Sequence, residues 1–346
     1  MPKLILMDRR LSAFRLGDVR GINPDEIDTS FATAFAHAFV SHFRISGAIV
    51  TGRDMRESSV LLQEALNEGL RESGIQVVDL GLCTTELAYF ASTLPEYSAA
   101  IVVTASHNPA QYNGLKCVLK NGRAVTFETG LSEVMAKMLD NHRNLSRIGS
   151  LTVKDIRPLY IDYLKSKFSS ADLQSEHIAL NGLNGTAATL AGTLATQFAL
   201  PFTWFRKEPG PIPSEGADPV PPRLAAQMKR FMEDGNFAIG VAWDGDCDRC
   251  VFFDGDGNLV PTYYVVGLLA EHFLIRNSGA SIAFDTKLRW NTIDVIQRHG
   301  GIPVPSATGH AFMKQKMREH KAVYGVELSS HNYFGDLFGC DSGMFA

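Results

Sequence analysis

One serine, Ser106, lies in the stretch Thr104-Ala105-Ser106-His107-Asn108-Pro109, directly after the apolar run Ala99-Ala100-Ile101-Val102-Val103. That run has the length and β-branched content of a buried strand. A hydroxyl at the carboxyl end of such a strand sits where open α/β sheets place their chemistry. A second polar cluster, Asp244-Gly245-Asp246-Cys247-Asp248-Arg249, follows the apolar run 237–241. Three carboxylates at alternate positions can present oxygens to one point, as a hard cation such as Mg²⁺ requires. The two loops together suggest a nucleophilic or phosphoryl-carrying serine facing a metal held by carboxylates.

Each loop also has a plainer reading. A loop serine can simply cap or satisfy local backbone, and no Gly-x-Ser-x-Gly elbow supports a hydrolase. The aspartate cluster can be a charged turn. It is not a calcium loop, since position six is Arg249 and position twelve is Gly255. Asp254-Gly255-Asp256-Gly257-Asn258 fails the same test at Leu259 and reads as a hairpin turn. Cys247 and Cys250 form a Cys-x-x-Cys without the second pair that a zinc site needs. Thr308-Gly309-His310 opens a helix, where backbone N–H groups favour an anion, or serves as an ordinary cap. Glu327-Leu328-Ser329-Ser330-His331 places a carboxylate, a hydroxyl and an imidazole on one loop, suited to sugar hydroxyls or to a polar strand end. Lys116, after Asn113-Gly114-Leu115, and Arg20, in Asp18-Val19-Arg20-Gly21, are cations for a phosphate or surface charges.

The elements that must position these loops read as alternating strands and helices. Strands are expected at 47–52, 75–80 and 99–103, with helices at 57–72 and 86–92; the order implies helical crossovers and a mixed or parallel sheet. The pattern returns with strands 178–180, 202–205 and 237–241 and helices 186–197 and 223–234. It returns again with helices 262–276, 292–299 and 309–320 and strands 281–285, 302–304 and 322–327. The expectation is three tandem, similar α/β domains with mixed sheets flanked by helices: 1–148, 149–256 and 257–346. A polar break at 141–150 separates the first two, and the proline-rich stretch 209–222 is a loop inside the second.

Bulk properties exclude several classes. At 346 residues, with 45% hydrophobic and 20% charged residues, the chain supports a sizeable core. A net charge of -4 gives no electrostatic reason to expect nucleic acid or anionic membrane. Met1 to Arg9 meets charge too early for a signal-peptide core, and no apolar stretch is long enough to span a bilayer. The five cysteines are odd in number and scattered, as suits a reducing cytoplasm.

Taken in order, Thr104-Ala-Ser-His-Asn-Pro109 with Asn113-Gly-Leu-Lys116, the loop 244–249, Thr308-Gly-His310 and Glu327-x-Ser-x-His331 resemble the α-D-phosphohexomutases, most of all the bacterial phosphomannomutases. The segments 263–271 and 290–295 share that resemblance. It implies that Ser106 carries a phosphoryl group and that Ser106, Asp244, Asp246 and Asp248 bind one Mg²⁺. It further implies interconversion of mannose 6-phosphate and mannose 1-phosphate through a phosphoserine, with a hexose 1,6-bisphosphate as intermediate and activator. By resemblance Arg20 and Arg249 neutralise phosphate, and Lys116 and His331 are acid/base candidates. Thr308, Gly309, His310, Glu327 and Ser329 would line the sugar site. Gly17 stands where the family usually has an aromatic. The resemblance also leads to the expectation of a fourth domain beyond the segment 341–344, missing here because the chain is incomplete or because another polypeptide supplies it. The alternative is a weakly active or non-catalytic paralogue, or a phosphoglucomutase of dual specificity.

Overall fold

The computed structural model describes residues 10–140, 148–168, 176–214 and 216–346. Met1 to Arg9 and most of the expected break at 141–150 lie outside the described residues. By internal contacts the chain forms two compact units, residues 1–160 with 210–212 and residues 161–209 with 213–346.

The first unit is built on a mixed sheet in the order Val19–Ile22, Tyr112–Leu119, Tyr97–Val103, Ala48–Arg53, Val77–Leu82, Leu151–Val153, with Arg123–Ala124 beside Tyr112–Leu119. Ala48–Arg53 runs parallel to both neighbours, whereas Tyr112–Leu119 is antiparallel to all three of its partners. Helices Thr29–Phe43 and Glu57–Glu72 supply most of the core opposite the sheet. Phe31, Phe35 and Phe39 recur every fourth residue and are 0% exposed, and their rings stack at 6.4 and 5.7 Å. That spacing puts them on one helical face. Asp28 caps this helix, its carboxylate accepting from the Phe31 N–H at 2.7 Å.

The second unit holds two further sheets. One runs Cys250–Phe253, Ile239–Trp243, Ile178–Asn181, Phe202–Phe205, parallel except at Cys250–Phe253. The other runs Ile302–Ser306, Ser281–Asp285, Tyr324–Val326, Asn332–Phe334, Cys340–Asp341, parallel over its first three strands. Pro303 and Pro305 lie on the edge strand of the third sheet, where a missing N–H does least harm and blunts edge pairing.

The three sheets flanked by helices match the expected fold class. Glu57–Glu72, Ser281–Asp285 and Thr262–Arg276 fall at the expected positions. The helix expected over 186–197 is divided: Thr186–Thr189 is a 3₁₀ turn and Ala191–Gln197 is α-helical, because Leu190 leaves the helical region at φ -125. The turn expected at 254–258 is present, closed by a bridge between Phe253 and Leu259. All five cysteines are buried and none is in a disulfide. Burial pushes the Cys83 thiol up to about 12 and Cys340 to about 11, which leaves them unreactive. Among the described residues no helix is long and apolar enough to cross a membrane.

Candidate active site

In the first unit the Ser106 loop is wrapped around a buried guanidinium. Arg56, at the start of helix Glu57–Glu72, directs Nη2 to the carbonyls of Ser106 at 2.9 Å and Asn108 at 2.7 Å. Its Nη1 donates to the carbonyls of Pro109 at 2.7 Å and Tyr112 at 2.9 Å. Nε donates to Asp54 Oδ2 at 3.0 Å, so all five donors of the fork are engaged. Asp54 also accepts from the Thr104 hydroxyl at 2.8 Å and from Ser59 Oγ at 2.6 Å. Thr104 Oγ1 in turn accepts from the Ser106 N–H at 2.9 Å. The loop holds Ser106 at φ 51, in the left-handed region that non-glycine residues seldom occupy. Ser106 is 2% exposed, and its hydroxyl lies 3.2 Å from His107 Nδ1.

Two of the expected cations sit beside this loop. Arg20 Nη1 donates to Asn108 Oδ1 at 3.0 Å, and Nη2 pairs with Asp18 at 2.5 Å. Arg20 faces Gly114 across the sheet, and Lys116 faces Val102 on the strand that leads to Ser106. A Cβ on Gly114 would stand 2.2 Å from the Val19 carbonyl and 2.8 Å from that of Thr104. Only glycine lets these backbones approach.

In the second unit the carboxyl ends of parallel strands gather the remaining predicted residues. Asp244, Asp246 and Asp248 follow Ile239–Trp243 and are 0%, 0% and 2% exposed. Each offers a carboxylate oxygen within 4.8 Å of the others. Three buried carboxylates converging on one point fit a hard divalent cation, the donor set expected for Mg²⁺. Arg249 donates Nε to Asp244 Oδ2 at 3.2 Å and pairs with Asp218 at 3.7 Å. Burial opposes its charge, but Asp244, Asp218 and Asp248 outweigh that and hold the guanidinium protonated.

The sugar-loop candidates join this centre through His331. Its Nε2 lies 3.4 Å from Asp248 Oδ1 and its Nδ1 2.8 Å from Ser329 Oγ. Arg249 and His331 form an antiparallel backbone bridge, so the two loops are stitched together. Burial would discharge the imidazole; Asp248 and Glu327 overcome this and hold its pKa above the ordinary value. Glu327 is 2% exposed, and its carboxylate accepts from the Gly309 N–H and the Tyr333 hydroxyl, each at 2.5 Å. Ser329 and Thr308 are exposed; the Thr308 hydroxyl donates to Asp285 at 3.1 Å. His310 opens the helix His310–Glu319.

The sequence reading missed Asp54, Arg56, Asp218, Tyr333 and the ion pair of Lys314 with Asp341 at 2.7 Å. Burial pushes the Asp341 carboxyl up and Lys314 more than reverses it, leaving it below the usual carboxylate range. Asp54 and Arg56 had a signal, two charges just past a buried strand. The end of the chain also reaches the aspartate loop: the Trp243 indole N–H donates to the Gly343 carbonyl at 2.9 Å, and the Gly343 N–H to Cys247 O at 3.3 Å.

Three family models match the chain, all described as phosphoglucomutase/phosphomannomutase α/β/α domains: domain I over residues 11–142, domain II over 158–257 and domain III over 261–346. A phosphomannomutase of Vibrio cholerae is 36% identical over 347 residues, covering 97% of this chain and 75% of its own length. A Xanthomonas campestris protein described as phosphohexose mutases is 37% identical, covering 96% of this chain and 75% of its own. Among solved structures, a phosphoglucomutase/phosphomannomutase family protein of Burkholderia thailandensis superposes with a TM-score of 0.91 at 31% identity, over 96% of this chain and 74% of that one.

Proposed function

The chain belongs to the phosphoglucomutase/phosphomannomutase family of phosphotransferase isomerases, and from that premise we propose that it interconverts mannose 6-phosphate and mannose 1-phosphate in the supply of nucleotide sugars. The observation that carries the reading is the buried triplet Asp244, Asp246 and Asp248, tied through Asp248 to His331.

In this reading Ser106 is the phosphoryl carrier. The phosphoserine passes its phosphoryl group to the free hydroxyl of a hexose monophosphate: the serine O–P bond breaks, the sugar O–P bond forms, and the hydroxyl gives up its proton. Lys116 and His331 are the acid/base candidates for that proton, and Asp248 and Glu327, by raising the pKa of His331, favour the protonated imidazole that can return one. The bisphosphate then turns over, and its other phosphoryl group returns to Ser106. Arg20 and Arg249 balance phosphate charge. Thr308, Gly309, His310, Ser329 and Glu327 form the sugar loop cluster, with Glu327 acting from its bonds to Gly309 and Tyr333. Asp244, Asp246 and Asp248 would hold Mg²⁺, which when bound would supply charge neutralisation for phosphoryl transfer, the main demand of this chemistry. A hexose 1,6-bisphosphate primes the serine.

The test is the intact mass of the chain after incubation with Mg²⁺ and a hexose 1,6-bisphosphate, followed by turnover of mannose and glucose phosphates. The expected result is one added phosphoryl group, lost in Ser106→Ala, and turnover of mannose 1-phosphate. No added mass in folded protein would sink the carrier role. Turnover of glucose phosphates alone would sink the mannose assignment.

A further inference from the structure

The acidic groups of the second unit extend past the three aspartates of the loop. Asp248, His331 and Asp341 bring carboxylate oxygens and an imidazole nitrogen within 4.8 Å of one another. Asp248 and Asp341 are 2% and 1% exposed. Two buried carboxylates and an imidazole at that spacing are by type a donor set for a divalent ion. A cation of the chain's own already stands there. Lys314 Nζ lies 2.7 Å from Asp341 Oδ1, and Lys314 is 0% exposed. A lysine is almost never fully buried unless it is paired.

The distribution of charge explains the pairing. Asp244, Asp246, Asp248, Asp341 and Glu327 are all buried in this region. Arg249 is committed to Asp244 and Asp218. Lys314, on the helix His310–Glu319, is the ammonium at Asp341. Were it absent, Asp341 would be a buried anion close to a second anion, Asp248, and costly to keep charged. A divalent ion bridging Asp341, Asp248 and His331 would relieve that cost. It would also claim a nitrogen of His331 and an oxygen of Asp248.

We propose that Lys314 is a positioning residue that stands in place of a second cation, so that the centre takes one divalent ion and His331 keeps its nitrogens for protons. The proposal rests on the reading of the 244–248 loop as the metal site. Its test counts ions on the full chain. Mn²⁺ is titrated by calorimetry and by electron paramagnetic resonance into the unaltered protein, into Lys314→Met and into the double variant Lys314→Met/Asp341→Asn.

The expected stoichiometry is one Mn²⁺ for the unaltered chain, two for Lys314→Met and one for the double variant, which lacks both the ammonium and the carboxylate that calls for it. A Lys314→Met protein that takes no more Mn²⁺ than the unaltered chain overturns the proposal, as does a second ion in the double variant. Should Lys314→Met unfold in chelator, refolding on addition of Mn²⁺ supports the proposal, and failure to refold with Mn²⁺ present overturns it. No ion on the unaltered chain with one on Lys314→Met would uphold the role of Lys314 while sinking the reading of the aspartate loop.

Discussion

At the scale of single residues, the Ser106 loop depends on a buried side chain that lies outside it. Arg56 fastens four carbonyls of the loop and the buried carboxylate of Asp54. Arg56→Met would strand that carboxylate without its partner, and breaking a buried pair typically costs about 3–5 kcal/mol. Urea denaturation should register a loss of that order, and phosphorylation of Ser106 should slow; an unchanged midpoint would show that the loop holds itself. His331 carries a pH signature. Burial works against its charge, Asp248 and Glu327 overcome it, and the folded pKa lies above the ordinary 6.5. A raised histidine pKa contributes stability that is complete below the unfolded value and fades as pH rises through the folded one. In metal-free protein the His331 ring resonances should therefore titrate with a midpoint above 6.5. Mg²⁺ should lower that midpoint, because it neutralises Asp248. A midpoint indifferent to Mg²⁺ would separate the histidine from the metal loop.

At the scale of elements, what could be read in advance was whatever local pattern decides. The leucine spacing of Glu57–Glu72 and the β-branched run ending at Val103 announce themselves. Strand Tyr112–Leu119 does not, because it carries Asn113, Gly114 and Lys116 at buried positions for the sake of the site. Helix Thr29–Phe43 was legible and passed over, though its phenylalanines recur at intervals of four. Where it crosses Glu57–Glu72 the contact is set by Gly69, at which a Cβ would lie 2.8 Å from both the Thr33 carbonyl and the Ala36 methyl. Gly69→Ala gains about 1 kcal/mol of helix propensity, yet overpacking at a backbone atom costs about 1–3 kcal/mol. The clash should win, with a net loss of about 1 kcal/mol in chemical denaturation; a stabilised variant would mean that the helices can part freely.

At the scale of the molecule, the fold class was open to sequence because alternating strands and helices permit few architectures. The carboxylate triplet was legible because its three aspartates stand at alternate positions within five residues of chain. Arg249 to Asp218 and Lys314 to Asp341 were not, since they join distant segments. All three tryptophans, Trp204, Trp243 and Trp290, fall in the second unit, so their fluorescence reports on that unit. Binding at a hundredfold excess over Kd adds about 2.7 kcal/mol, which for a unit of this size raises the midpoint by about 5–10 °C. Tryptophan-monitored melting should shift upward by that amount with Mg²⁺ and should not shift in Asp244→Asn/Asp246→Asn. An equal shift in the variant would place the ion elsewhere. The bridge between Arg249 and His331 and the grip of Trp243 on Gly343 have a consequence for recombination. A crossover between relatives near residue 260 would separate halves of these interlocked pairs and graft the aspartate loop onto a foreign partner. Chimaeras should inherit residues 213–346 as one block.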